Sequence, residues 1–206
     1  MKGRFITFEG IEGCGKTTQI RLLDENLRSK GLATVLTREP GGTEIGDKIR
    51  GILLDPENKK MCSVAELLLY GAARAQHLEE LVKPSIAEGK IVLCDRYSDS
   101  TTAYQGAARK LSPKFIKGLD SLATGGLKPD LTILLDIDPN EGLKRARSRR
   151  SLDRFEREEV SFHERVRKGY LQISREEPLR VKVVDGLRPT DEIRADITNI
   201  VEKLLR

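Results

Sequence analysis

Tryptophan is absent from the chain and aromatic residues make up only 4% of it, which argues against a surface that stacks the bases of a single strand. The three cysteines, Cys14, Cys62 and Cys94, lie far apart with no CxxC or Cys/His grouping, so neither a disulfide framework nor a zinc site is indicated. Histidine is scarcer still: His77 and His163 stand alone and are expected as surface or packing residues rather than ligands. No apolar run approaches the length that spans a bilayer, and the first residues lead directly into a strand pattern. No membrane partner and no secretion are expected, and the expected location is cytoplasmic.

What is abundant is charge, 33% of the 206 residues with a net value of +5. The excess is local. Lys144, Arg145, Arg147, Arg149, Arg150, Arg154 and Arg157 crowd one window against Asp153 and Glu156, and outside it basic and acidic residues are equal in number. A nucleic-acid footprint spreads along a face and brings aromatics with it, so no nucleic-acid partner is expected. Lys144/Arg147 and Arg145/Arg149 fall one helical turn apart, where like charges cost about 0.2–0.5 kcal/mol per pair. The window therefore reads either as a device for a local anion, with 149–155 as a mobile flap, or as a solvated face paired internally through Asp153 and Glu156.

The stretch FEGIEGCGKTT (8–18) holds Gly10, four residues, then Gly15, Lys16 and Thr17, the spacing of a phosphate-binding loop. Its glycines let successive backbone amides turn toward phosphate oxygens, and the following helix adds its positive end. Lys16 suits the β- and γ-phosphates, and the Thr17 hydroxyl suits Mg²⁺, a hard ion that keeps several waters. The flanks agree, with a β-branched and aromatic run at 4–8 and Ile20, Leu23 and Leu27 at helical spacing. A phosphate anion is expected against Gly10, Ile11, Glu12, Gly13, Cys14, Gly15, Lys16, Thr17 and Thr18; the loop alone leaves the reaction open.

Further along, 33–37 reads as a second strand, REPGGT (38–43) as a loop and 44–54 as a short helix. A long helix is expected over 64–87, with Val64, Leu67 and Leu68 on one face and a kink or restart at Pro84. Tyr70 and Arg74 share one side of it, either as a functional pair or as a surface Tyr beside a packed Arg. IVLC (91–94) is a buried strand closed by Asp95, and 131–135 closed by Asp136 has the same form. Either aspartate suits the metal; Asp95 is preferred because Arg96 beside it adds a phosphate ligand, whereas Asp136 leads to Asp138-Pro139 and a helix start. The segment 99–106 gathers hydroxyl, amide and phenol groups. Helices are expected over 113–123 and past Pro139, a last strand over 181–184, and a terminal helix with Ile193, Ile197, Ile200, Val201, Leu204 and Leu205 facing the core. Five strands alternating with helices imply one doubly wound α/β domain over 1–206.

In this order the phosphate loop, REPGGT, LLLYGAAR (67–74), DRYSDSTTAYQG (95–106) and RSRRSLDRFE (147–156) resemble bacterial-type thymidylate kinases over nearly the whole chain. The resemblance implies a P-loop NTPase of nucleoside-monophosphate kinase type: a five-stranded parallel sheet flanked by helices, a short lid at about 147–157, and a homodimer. It implies phosphoryl transfer from ATP, held by residues 10–18, to dTMP with Mg²⁺. Arg96 and Arg38 then lie near the acceptor phosphate with Arg50 nearby, Tyr70 stacks on the base, and Arg74 and Thr101 bond its edge beside Gln105. Tyr104 crowds the 2′ position of the sugar and Glu12 approaches the 3′-hydroxyl. Tyr70 stands where Phe is common, and Gly13 where another branch without a basic lid carries arginine. The catalytic arginine is therefore expected from the lid, with Arg150 and Arg154 in the catalytic set beside Lys16 and Arg96, and Arg147 on ATP. A kinase for another monophosphate or a nucleoside, and an ATPase switch acting through a partner, are the rival expectations.

Overall fold

The computed structural model describes residues 2–147 and 153–206, without the Arg147 side chain. The chain runs β1 (Arg4–Glu9), α1 (Lys16–Ser29), β2 (Thr34–Arg38), α2 (Glu44–Leu54), α3 (Ser63–His77), α4 (Lys83–Ala87), β3 (Ile91–Asp95), α5 (Ser98–Thr101), α6 (Pro113–Thr124), β4 (Leu131–Asp136), α7 (Pro139–Arg147), α8 (Val160–Glu176), β5 (Val181–Asp185) and α9 (Thr190–Leu205). The five strands form one parallel sheet in the order β2-β3-β1-β4-β5.

Strand alternation explains how both faces are covered. Phe5, Val92 and Cys94 point to one side, where they pack with Leu78, Val82 and Tyr97. Ile6, Phe8, Ile91 and Leu93 point to the other and meet Leu23 and Leu27 of α1, Val166 of α8 and Ile197 and Val201 of α9. Because β1 is central and the chain leaves it first toward β2 and later toward β4, a crevice opens at its carboxyl end, where ligands of such sheets bind.

The expected strands and helices recur with ends shifted by a residue or two, except for the helix over 64–87. There α3 stops at His77, residues Leu78–Val82 form a π-helical turn, and α4 resumes before Pro84. Proline lacks an N–H and its ring collides with the carbonyl four residues back, and the wider turn removes both conflicts. Leu67 is buried, but Val64 and Leu68 are 51% and 55% exposed, so the three do not share a buried face. A second π-helical segment, Thr102–Ala108, follows α5 directly. His77 and His163 are fully buried, the packing rather than the surface alternative expected for them. All three cysteines are free thiols, and no helix among the described residues is long and apolar enough to cross a membrane.

Candidate active site

The phosphate loop joins the end of β1 to the start of α1, with Gly10, Gly13 and Gly15 at positive φ. Gly13 is required twice over: its φ is 73°, and a Cβ there would drive into the carbonyl of Gly142. Lys16 is 7% exposed, folded back so that Nζ donates to the carbonyls of Gly10 at 3.0 Å and Ile11 at 3.1 Å. Thr17 Oγ1 reaches Asp95 Oδ2 at 3.4 Å. Asp136, the alternative, is bound by both ends of the Arg167 fork at 2.7 Å and is neutralised there. One hydroxyl and one carboxylate, with no cluster of three or more His, Cys, Asp or Glu among the described residues, fit Mg²⁺, which takes few protein ligands beside waters and phosphates.

A cavity of about 280 Å³ opens beside the loop, lined by Glu12 to Thr18 and by Arg38, Arg50, Tyr70, Arg74, Asp95, Arg96, Tyr104 and Gln105. Residues far apart in the chain, expected at one site, are thus brought together. Arg38, Arg50 and Arg96 converge on it, and Arg50 shows the strain of that convergence: burial, then the charges of Arg38 and Arg96, lower its pKa. An anion in the cavity would relieve it. Arg96 has a left-handed backbone, φ 73°, rare outside glycine and typical of functional positions. Its guanidinium donates to Gly10 O at 2.9 Å, Tyr170 Oη at 3.0 Å and Glu12 Oε1 at 2.9 Å. Burial disfavours the charges of both Glu12 and Arg96, but Arg96 with His163 and Lys16 hold the Glu12 carboxyl well below its ordinary range. Tyr104 Oη donates to the same Glu12 oxygen at 2.6 Å.

Arg74 is 2% exposed. Its Nε donates to Glu39 Oε2 at 2.8 Å and its Nη2 to Thr101 Oγ1 at 3.0 Å, while His77 Nδ1 lies 3.0 Å from the second Glu39 oxygen and its Nε2 2.7 Å from Thr37 Oγ1. This Thr37–His77–Glu39–Arg74–Thr101 chain fixes one wall of the cavity. Glu39 and His77 were not expected to matter; the signal was available, since His77 follows Arg74 by three residues on α3 and Glu39 lies within REPGGT. Ser100, Tyr170 and His163, around Arg96 and Glu12, were likewise missed, as were Asp153, Phe155 and Glu156 of the cavity lining.

Arg154 is not brought to the phosphate loop. Its Nη1 lies 2.6 Å from Glu66 Oε2 and its Nε donates to Leu53 O at 2.9 Å, because the buried Glu66 carboxylate draws the nearest cation. Its guanidinium is thus engaged away from the loop, not beside Lys16 and Arg96 as expected. Arg149 and Arg150 lie outside the described residues, as does the Arg147 side chain.

The thymidylate kinase family model matches residues 8–197. A thymidylate kinase of Geotalea uraniireducens is 53% identical over 205 residues, covering 97% of this chain and 96% of the relative; one of Geotalea daltonii is 54% identical with the same coverage. Among solved structures, the crystal structure of thymidylate kinase from Ehrlichia chaffeensis superposes with a TM-score of 0.81 at 33% identity, covering 98% of this chain and all of the other.

Proposed function

This chain belongs to the thymidylate kinase family, and we propose how its residues divide the work of the reaction that membership assigns: transfer of the ATP γ-phosphoryl group to dTMP, giving ADP and dTDP for dTTP synthesis. The observation that carries the proposal is that two anion sites face one another across one cavity, the phosphate loop on one side and Arg38, Arg50 and Arg96 on the other. A switch ATPase has no use for the second.

The nucleophile is a phosphate oxygen of the acceptor, whose second pKa of about 6 leaves it ionised at neutral pH, so no general base is required. Catalysis reduces to alignment and charge compensation. Arg96, with Arg38 and Arg50, holds the acceptor phosphate; Tyr70 stacks on the base; Arg74, Thr101 and Gln105 face its edge. Glu12 takes the 3′-hydroxyl and Tyr104 excludes a 2′-hydroxyl. Gly10 to Thr18 hold the donor phosphates, and Lys16 gives its charge to the γ-phosphate. Thr17 and Asp95 would hold Mg²⁺, which would supply positive charge toward the donor phosphates. The domain spans 1–206, and its lid, 147–157, brings Arg147 to ATP and Arg150 to the transferring group. Ile45 and Ile52 of α2, Val64 and Leu68 of α3 and Phe115 and Leu122 of α6 are exposed on helices where α3 packs beside both neighbours, which supports a homodimer through that face. The three free thiols fit a reducing compartment, the cytoplasm.

Product analysis with ATP and a panel of nucleoside monophosphates and nucleosides tests the reaction. dTDP should form fastest, with dUMP slower by a factor reflecting one methyl group, about 1–3 kcal/mol. Steady ATP hydrolysis indifferent to acceptor would overturn the proposal in favour of the ATPase switch.

A further inference from the structure

Glu66, Tyr70 and Arg74 succeed one another at four-residue spacing along one face of α3, yet only the last two have a place in the mechanism. Glu66 is 1% exposed, and its carboxylate gathers groups from two other parts of the chain. Gln105 Nε2 donates to Oε1 at 2.8 Å, Arg109 Nε and Nη2 approach the two oxygens at 3.4 Å each, and Arg154 Nη1 lies 2.6 Å from Oε2. Gln105 belongs to the cavity lining, and Arg154 to the stem by which the lid returns to the body. A buried carboxylate is tolerated only with such compensation. Removing it strands two guanidiniums, of which Arg109 still has Glu158 at 2.6 Å and Arg154 has the Leu53 carbonyl.

What the stem delivers is Phe155. Arg154 is pinned by its side chain to Glu66 and by its backbone N–H to Leu54 O at 3.2 Å, which leaves the next residue 3% exposed. Its ring centre lies 6.3 Å from that of Tyr70 and 5.6 Å from that of Tyr104. Phe155 therefore closes the wall between the side chains assigned to base and sugar. The field of Glu66 also reaches the pocket: burial first, and its charge second, push the Tyr70 phenol upward, so that ring stays neutral.

We propose that Glu66 is a positioning residue for acceptor recognition: by holding Arg154 and Gln105 on one carboxylate it seats the lid stem, and Phe155 with it, against the thymidylate pocket. The proposal rests on the thymidylate kinase reading. Its consequence is that the acceptor pocket is complete only while the stem is latched, whereas the donor loop is indifferent to the latch.

The test is steady-state kinetics on Glu66→Gln, Arg154→Met and the double variant, with dTMP and ATP varied separately, together with calorimetric titration of dTMP alone. Each single change should raise dTMP KM and Kd about tenfold and move ATP KM by less than about twofold. The double variant should be no worse than the more severe single, because both break one link. A purely structural role would lower Tm and leave dTMP KM in place. Folded variants with dTMP KM within about twofold of the parent, or fully additive losses, overturn the proposal. If Glu66→Gln does not fold, Arg154→Met decides alone by the same criterion. An unaltered protein that fails to phosphorylate dTMP defeats the functional reading and this proposal with it; normal parent activity with unchanged variants defeats this one only.

Discussion

The donor and acceptor sides of the cavity are built in opposite ways. The donor side is one unbroken run, Gly10 to Thr18, whose backbone curls at three glycines with positive φ and whose principal side chain, Lys16, bonds only to its own loop. The acceptor side takes Arg38 and Glu39 from the end of β2, Arg50 from α2, Arg74 from α3, Arg96 from the end of β3 and Tyr104 from a π-helical turn; Arg74 pairs with Glu39, Arg96 and Tyr104 share Glu12, Arg50 donates to the Pro40 carbonyl and Arg38 reaches Asp47. Backbone amides specify phosphate, which every nucleotide carries. Side chains anchored at a distance specify which nucleotide. Changes on the donor side should therefore abolish turnover without altering acceptor choice, and changes on the acceptor side should do the reverse.

The largest break is expected at the lid. Arg150→Ala should lower kcat by about 10³ with dTMP KM nearly unmoved, since charge that acts only on the transferring group shows in kcat; lysine should rescue poorly, lacking the planar fork. A near-normal kcat would reduce the basic window to a solvated face. Next, Lys16→Ala should lower kcat by about 10²–10³ and leave acceptor preference unchanged. A shift of that preference would blur the division between the two sides. On the acceptor side, Arg50→Met should raise dTMP KM about tenfold and leave ATP KM alone. It should also raise thermal stability in the absence of nucleotide, because it removes a half-buried cation beside Arg38 and Arg96. Smaller again, Tyr104→Ala should raise kcat/KM for ribothymidylate relative to dTMP by severalfold, through space opened at the 2′ carbon; an unmoved ratio would acquit Tyr104.

The same contrast explains what could be read from the chain alone. The donor side was legible because its chemistry is consecutive, and the sheet because buried strands announce themselves as short apolar runs closed by Asp95 and Asp136. The helix over 44–54 was likewise read to the residue. Arg96 was marked as a phosphate ligand by its place beside Asp95, and Tyr70 with Arg74 by their spacing, but the roles of the acceptor residues toward base, sugar and phosphate came only from family resemblance. Their partners were invisible because Glu39, Glu66, His77 and His163 pair with groups up to 151 positions away: His163 Nδ1 faces Glu12 Oε2 at 3.2 Å. No local period marks such a pair. Periodicity failed in a second way where it assumed 3.6 residues per turn through 64–87, since the wider turn at Leu78–Val82 shifts the phase. At Thr102–Ala108, where no period was read, a second wide turn sends Tyr104 to Glu12 and its neighbour Gln105 to Glu66. Gly13 adds a converse lesson: the family position that elsewhere carries arginine is closed here by the backbone of Gly142.

The smallest effect is expected where the two sides join. Glu9 ends β1 one residue before the loop, and its carboxylate accepts from Tyr97 N at 2.7 Å, Ser100 Oγ at 2.6 Å and Tyr170 Oη at 2.8 Å, all groups of the acceptor side. Burial, with Asp99 adding and Arg96 opposing, pushes its pKa from 4.5 up to about 7. Between those two values the unfolded chain has released the proton that the folded protein keeps, so the folded state binds more protons there and stability falls as pH rises. The Glu9 contribution is full below pH 4.5 and is lost by about pH 7. Glutamine fits the same contacts: its oxygen can face the Tyr97 N–H while its NH₂ donates to the Ser100 and Tyr170 hydroxyls, which can accept. Glu9→Gln should therefore match the parent in Tm near pH 4.5 and exceed it by a few degrees at pH 8, a gain of about 1–3 kcal/mol. The gap should open between those pH values and stop widening above about pH 7. A gap independent of pH would mean that Glu9 is already ionised in the folded protein, tying its charge to Arg96 rather than to burial at the seam between the two sides.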